Sequence, residues 1–236
     1  MERFNEMTAI MKKELKSYFN SPIAYIVITI FLVFTGFFFF KDFFYFNQAE
    51  MRNLFQLMPL MLCFVIPAVT MRLLSEERQS GSFEILMTLP VSTRDIVLGK
   101  FLAGTIFSVV MISPTLIYLV TVIFLGSPDP GPVIGGYAGV IFLSAAYTSI
   151  GLLASSFTRN QIISFISSWA ACFLLWLIDK VVVFIPSSLG FISYFGTDYH
   201  FQNIAKGLID SRDIVYFISI CVLSLMFTKK VVEERR

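Results

Sequence analysis

The sequence is short of charge, and what charge it has sits in few places. Only 14% of its 236 residues are Asp, Glu, Lys or Arg, against about 25% in an ordinary soluble domain. The charges gather at the N-terminus, between Met71 and Lys100, and at the C-terminus, with long uncharged runs between them. That distribution excludes a soluble globular fold. The net charge of +2 leaves no basic surface for a nucleic acid. Cysteine is scarce too. Cys63, Cys172 and Cys221 stand singly in three apolar runs, with neither metal-ligand spacing nor an obvious disulfide mate, and read as small packing residues. No carboxylate lies near the middle of an apolar run, which disfavours an ion-coupled carrier. No convergent His, Asp, Glu or Cys cluster suggests an intramembrane enzyme. Gly99-Lys100 is followed by Phe101 and lacks the preceding glycine of G-x-x-x-x-G-K-[ST], so no phosphate loop for ATP is expected. A short apolar core with a small-residue cleavage site is also missing at the N-terminus, so no signal peptide is expected.

What is abundant is apolar: 56% of the residues are hydrophobic and 27 are phenylalanine, and the mean hydropathy is +0.77. A helix needs about 20 apolar residues to cross a bilayer core. Six runs qualify: Ile23–Phe40, Leu54–Leu74 (with Pro59 and Pro67), Leu98–Leu125 (with Pro114), Val133–Phe157, Ile162–Ile178 and Ile214–Phe227. Open sheets cannot sit in lipid, and barrel-type alternation is absent. The expected fold is therefore an all-α integral membrane protein, a single domain over 1–236. With the N-terminus on the cytoplasmic side, thirteen of the 18 Lys and Arg fall inside and five outside, so both termini are expected in the cytoplasm.

Three segments are not simple spans. In Met1–Asn20, Phe4, Met7, Met11 and Leu15 recur at helical spacing beside Lys12, Lys13 and Lys16, which predicts an amphipathic interfacial helix. It serves either as an anchor alone or also as a partner contact. The inner segment 75–97 carries Glu76, Glu77 and Arg78 at the water boundary, a direction-breaking Gly81, and Ser82 as the cap of a short helix that Pro90 stops. That helix bears Phe83, Leu86 and Met87 on one side with Glu84 beside them. It is too apolar for a solvated loop and too short to span, so it must bury against the bilayer interface or another protein. Ser92-Thr-Arg94-Asp95 then reads as a capping box for the third span. In the outer segment 186–213, Thr197 is expected to cap a helix to Lys206, ended by Gly207, as a short re-entrant element. Its Tyr199 and His200, with Lys41-Asp42 and Asp179-Lys180 at the outer span ends, are candidates for an outer gate. The alternatives are interface anchors for the charge pairs and an aromatic interfacial contact for His200. The Phe-rich first span suits either lipid contact or a lipid-like cargo. Gly135-x-x-x-Gly139 predicts close packing of the fourth span on a neighbour.

Glu76-Glu77-Arg78, Gly81-Ser82-Phe83-Glu84, Leu86, Pro90-Val91-Ser92 and Gly99-Lys100 together resemble the cytoplasmic signature of type-2 ABC exporter permeases, with Ser82 where that family more often has Thr. The resemblance extends over nearly the whole chain. Around His200–Ile204 and Gly207–Asp213 it resembles the gliding-motility-associated permease subfamily and, more loosely, the nitrous-oxide-reductase maturation permeases. The resemblance implies a bacterial inner-membrane permease that works as a homo- or heterodimer among membrane lipids. It also implies a separate cytoplasmic ABC ATPase that binds ATP and Mg, none being held by this chain. The segment from Ser82 would be the coupling helix, with Phe83, Leu86 and Met87 as its apolar tip. Glu76, Glu77, Arg78, Glu84 and Arg94 would set its register on the ATPase by charge. An ion-coupled carrier and a membrane scaffold without an ATPase remain the alternatives.

Overall fold

The computed structural model of the chain describes residues 2–46, 50–88, 91–126, 128–182, 187–208 and 210–234. Met1 and Pro90, named above, lie outside them, as do Leu89, Pro186, Arg235 and Arg236. Among the described residues there is no strand, and six helical stretches are long and apolar enough to cross a membrane. They are Pro22–Tyr45, Arg52–Ser80, Thr93–Leu125, Pro130–Phe157, Gln161–Val182 and Ser211–Glu233. The expected six-span, all-α membrane fold is the one observed.

The first helix, α1 (Glu2–Asn20), lies against the third spanning stretch with Met7, Ile10 and Leu15 half-buried and Lys12, Lys13 and Lys16 exposed. Ser21 turns the chain into α2 (Pro22–Phe46). Ile26, Val33, Phe34 and Phe37 of α2 face outward while Phe31, Thr35 and Phe39 are buried. One apolar run then becomes two helices: α3 (Arg52–Thr70), with Pro59 and Pro67 inside it, and α4 (Arg72–Ser80). The joint at Met71 is held from a distant span. Ser155 Oγ accepts from the backbone N–H of Leu74 (3.0 Å) and of Ser75 (2.9 Å) and donates to the Met71 carbonyl (3.1 Å). One hydroxyl so satisfies backbone groups that the break would leave unpaired.

Gly81 follows α4 in the left-handed region (φ 75°), which a side chain would disfavour, and α5 (Ser82–Thr88) begins at once. Ser82 is thus already helical. Its hydroxyl meets Ser80 Oγ at 2.8 Å instead of capping α5, contrary to expectation. The expected cap at Ser92 does form: its Oγ accepts from Asp95 N–H at 3.2 Å and opens α6 (Thr93–Ile112). Pro114 has no N–H to give, so α6 passes through a 3-10 turn (Ser113–Thr115) into α7 (Leu116–Leu125).

Asp129 caps α8 (Pro130–Phe157) with Pro130 at its first position. This is the central span, burying Val140, Leu143, Ala146, Tyr147 and a series of Ser and Thr hydroxyls. Between spans, lipid offers as apolar a surface as a neighbouring helix does, so close packing of small residues replaces the hydrophobic effect. Gly135 shows this: a Cβ there would stand 2.2 Å from the Ile204 carbonyl oxygen. The expected close packing at Gly135 and Gly139 is real, and the partner is the short helix α10 (Thr197–Ala205). Between α8 and α10 run α9 (Gln161–Val182) and a 3-10 helix (Ser187–Phe195). The chain closes with α11 (Ser211–Glu233), capped by Asp210, whose carboxylate accepts from Arg212 N–H at 3.0 Å.

Thr197 does not cap α10. Gly196 holds the cap position and the Thr197 hydroxyl reaches inward to Tyr147 Oη at 3.1 Å. The six spans alternate in direction, so α1 and the last turns of α11 lie at the same end of the bundle, where Leu73, Leu74, Phe83, Val97, Leu152 and Val232 share a cluster.

Candidate functional site

The end of the bundle that carries both terminal helices is built around one cation. Lys100 sits on the second turn of α6, fully buried. Its Nζ lies 2.8 Å from Glu14 of α1 and 2.8 Å from Glu77 of α4, and Lys13 adds a looser contact to Glu77 at 3.9 Å. Gly99 makes this convergence possible, since a Cβ there would meet the Ile10 side chain and the Met7 carbonyl at 3.0 Å. The Gly-Lys pair therefore does two jobs in adjacent positions: the glycine lets α1 lie flush on α6, and the lysine ties α1 and α4 together. An ammonium without water is costly unless paired and hydrogen-bonded, and here two carboxylates meet it.

The other charges of the segment divide into inward and outward sets. Arg72 grips Glu76 through both carboxylate oxygens (2.8 and 2.9 Å), a bidentate pair one helical turn apart. Arg72 also reaches Ser21 Oγ at 3.4 Å, at the turn between α1 and α2. Arg78 is buried. Its guanidinium donates to the Ser156 carbonyl and lies 4.9 Å from the centre of the Phe83 ring. Phe83 in turn is buried among Leu73, Leu74, Val97, Leu152 and Val232.

Phe83, expected at an exposed apolar tip, thus points into the bundle, because the left-handed turn at Gly81 folds the first turn of α5 back under α4. Glu77 and Arg78, expected to meet a partner, spend their charge inside the chain. Gly81, Ser82, Glu84 and Thr88 are exposed, as is Arg94 at the start of α6. The side chains of Leu86 and Met87, and Pro90 altogether, lie outside the described residues. Tyr18 of α1 completes the frame. Its hydroxyl donates to the Val69 carbonyl at 3.0 Å and its ring stacks on Phe107 at 4.9 Å. Burial, helped by the Glu14 carboxylate, pushes its phenol well up, which keeps it a donor.

The opposite end holds a second polar group of residues. Lys180 at the end of α9 reaches buried Asp198 of α10 at 2.5 Å and its neighbour Asp179 at 3.5 Å. Asp198 also accepts from Gln202 at 3.1 Å. His200 is buried. Its Nδ1 lies 2.5 Å from Asp213 of α11, its Nε2 lies 2.9 Å from the Tyr194 carbonyl, and its ring stacks on Tyr216 at 4.0 Å. Both ring nitrogens face acceptors, so the protonated ring donates to both and the neutral ring to one. Tyr199 stands half-buried with its ring 5.2 Å from that of Tyr194. Of the candidate gate residues, Asp179, Lys180, Tyr199 and His200 are gathered on this cap. Lys41 and Asp42 on α2 have no ion pair among the described residues and do not join it.

Sequence reasoning missed three partners: Glu14 for Lys100, Asp198 for Lys180 and Asp213 for His200. Lys100 carried a usable signal, since a lone cation at the head of an apolar run demands a counter-charge. Spacing gave no hint of which acid answers it, because Glu14 lies 86 residues away.

The family model for ABC-2 family transporter proteins matches residues 8–189, from α1 to the 3-10 helix Ser187–Phe195. The search of curated proteins returned no match. The matched stretch takes in five of the six spans and the whole of the Lys100 frame, and on that extent the chain belongs to the ABC-2 transporter family, as a membrane component of an ABC transporter.

Proposed function

We propose that the chain is the permease subunit of an ATP-driven exporter, one of two such units that line a pathway and are driven by a separate cytoplasmic ATPase holding ATP and Mg. The observation that carries this is the rigid mounting of α4 and α5. Lys100 ties α4 to α1 and α6, and Arg78 and Phe83 seat the turn on α8 and α11. A force applied to the exposed edge at Ser82, Glu84 and Thr88 would pass into three spans with little slack. An anchor or loop would not need such a mounting. Both termini and this lever would be cytoplasmic, in line with the excess of Lys and Arg at that end, in a bacterial inner membrane.

The seat on the ATPase would be formed by the outward residues: Ser82, Glu84 and Arg94, with Leu86 and Met87 as its apolar part. Glu76, Glu77, Arg78 and Phe83 would hold the lever in shape. At the far end, the Lys180–Asp198 and His200–Asp213 pairs would fix a cap over the exit, with Asp179 and Tyr199 at its edge. The outer-segment resemblance favours the gliding-motility-associated subfamily.

Affinity purification of the tagged chain from native membranes tests the reading. A cytoplasmic ATPase is expected to co-purify, and Glu84→Lys is expected to weaken that association at least fivefold while leaving the yield of permease unchanged. Recovery of intact permease without any ATPase would overturn it and favour the carrier or scaffold alternatives.

A further inference from the structure

A groove of about 490 Å3 runs between the first turns of α6 and the last turns of α11. It is the size of an ordinary ligand pocket, but its walls are not those of a soluble site. Val97, Leu98, Val222, Leu225 and Met226 line it, on two helices that cross the membrane, so hydrocarbon is its natural filling. Its rim is cationic. Arg94 stands on the α6 side, Lys229 and Lys230 on the α11 side, and Glu233 is the acid among them. Glu233 pairs with Lys229 at 3.3 Å, and among the described residues Arg94 and Lys230 have no ion-pair partner. Two free cations thus overhang an apolar slot at the end of the spans, where the polar boundary of a bilayer lies.

We infer that this groove is a binding site for an anionic phospholipid, with acyl chain against Leu98, Val222 and Met226 and phosphate between Arg94 and Lys230. Charge complementarity selects this occupant: a zwitterionic lipid would fill the slot equally but answer only part of the rim. Basic pockets between spanning helices recognise anionic headgroups in this way. The proposal rests on the exporter reading only for the leaflet, which under the proposed topology is the cytoplasmic one. It gives Arg94 a lipid contact in addition to any contact with an ATPase.

Native mass spectrometry of the purified full chain tests it, with dioleoyl phosphatidylglycerol or dioleoyl phosphatidylcholine added to the detergent micelle. Phosphatidylglycerol is expected to bind saturably and phosphatidylcholine not to displace it. The double variant Arg94→Gln/Lys230→Gln is expected to lose affinity roughly thirtyfold, at about 1 kcal/mol for each cation. Val222→Trp, which fills the groove and keeps the charges, is expected to lose it as well. Lys12→Gln/Lys16→Gln, which removes exposed cations from α1, is expected to change nothing. Equal binding of the two lipids overturns the proposal, as does an unaltered double variant or an equal loss in the α1 control. Unaltered lipid binding in Val222→Trp with a changed oligomeric mass would assign the groove to a second copy of the chain. The measurement needs no ATPase, so its failure leaves the exporter reading standing, and failure of that reading leaves the lipid site standing.

Discussion

Replacing Lys100 by methionine is the sharpest perturbation this structure offers. The side chain is fully buried, its Nζ is 2.8 Å from two carboxylates, and methionine has nearly its length without its charge. Removing one member of a buried ion pair typically costs about 3–5 kcal/mol, because the remaining charge is stranded. Here Glu14 loses its ammonium and Glu77 keeps only the looser Lys13 contact at 3.9 Å, so with two carboxylates affected Lys100→Met is expected toward the top of that range. For a chain of this size each kcal/mol moves the melting temperature by about 2–4 °C, which sets an expected drop of roughly 10–20 °C. The assay is thermal unfolding of the detergent-purified permease followed by Trp169 and Trp176 fluorescence. The triple variant Glu14→Gln/Glu77→Gln/Lys100→Met has no charge left to strand and is expected to regain most of the loss, since apolar replacement of a whole buried network is often neutral. Its regained stability would come without the tie between α1, α4 and α6, so ATPase stimulation in the reconstituted complex is expected to stay low. Lys100→Met melting within about 2 °C of the natural protein would refute the reasoning outright. A triple variant no better than Lys100→Met would show that the cost was lost packing and not stranded charge.

The same assay reads three further perturbations. Gly135→Val places a Cβ 2.2 Å from the Ile204 carbonyl oxygen and must displace α10, so a loss of more than about 2 kcal/mol is expected; Gly131→Val in the same helix, where the nearest atom is 3.6 Å away, is expected to cost less. Ser155→Ala removes the acceptor for two backbone donors at the α3–α4 joint and is expected to cost about 1–3 kcal/mol, with amide exchange rising first at Leu74 and Ser75. Asp213→Ala leaves His200 without its carboxylate and is expected to destabilise the packing of α10 on α11, whereas His200→Phe/Asp213→Leu is expected to recover it; a double variant worse than the single one counts against that pairing.

Periodicity and capping chemistry, both local signals, made the spans, the amphipathic α1, the Ser92 cap and the short helix after Gly81 legible in the sequence. Where the sequence misled, the deciding contact came from a distant span. Phe83 shares α5 with apolar residues that periodicity puts on more than one side, and only the cluster with Leu152 and Val232 shows which way it turns. Thr197 has the right chemistry for a cap, but Tyr147 competes for its hydroxyl and Gly196 takes the position. The apolar run Leu54–Leu74 does lie within one spanning stretch, Arg52–Ser80, and only its internal joint at Met71 escapes local reading, because the hydroxyl that satisfies that joint belongs to Ser155. The signature residues were found as a group, but motif reading does not separate those that are exposed, such as Ser82, Glu84 and Arg94, from those buried in the bundle, such as Arg78, Phe83 and Lys100. Burial separates them at once.

The order of the Lys100 partners along the chain has a consequence for biogenesis. Synthesis runs from the N-terminus, so α1 with Glu14 and α4 with Glu77 exist before Lys100 emerges on α6. A newly made α6 brings an ammonium toward a membrane where both of its carboxylate partners have already been synthesised, so pairing that charge favours docking of α6 against α1 and α4. An insertion intermediate in which α1 has not docked would leave Lys100 with Glu77 as its one close carboxylate, a form that a membrane quality-control protease could distinguish from the finished protein.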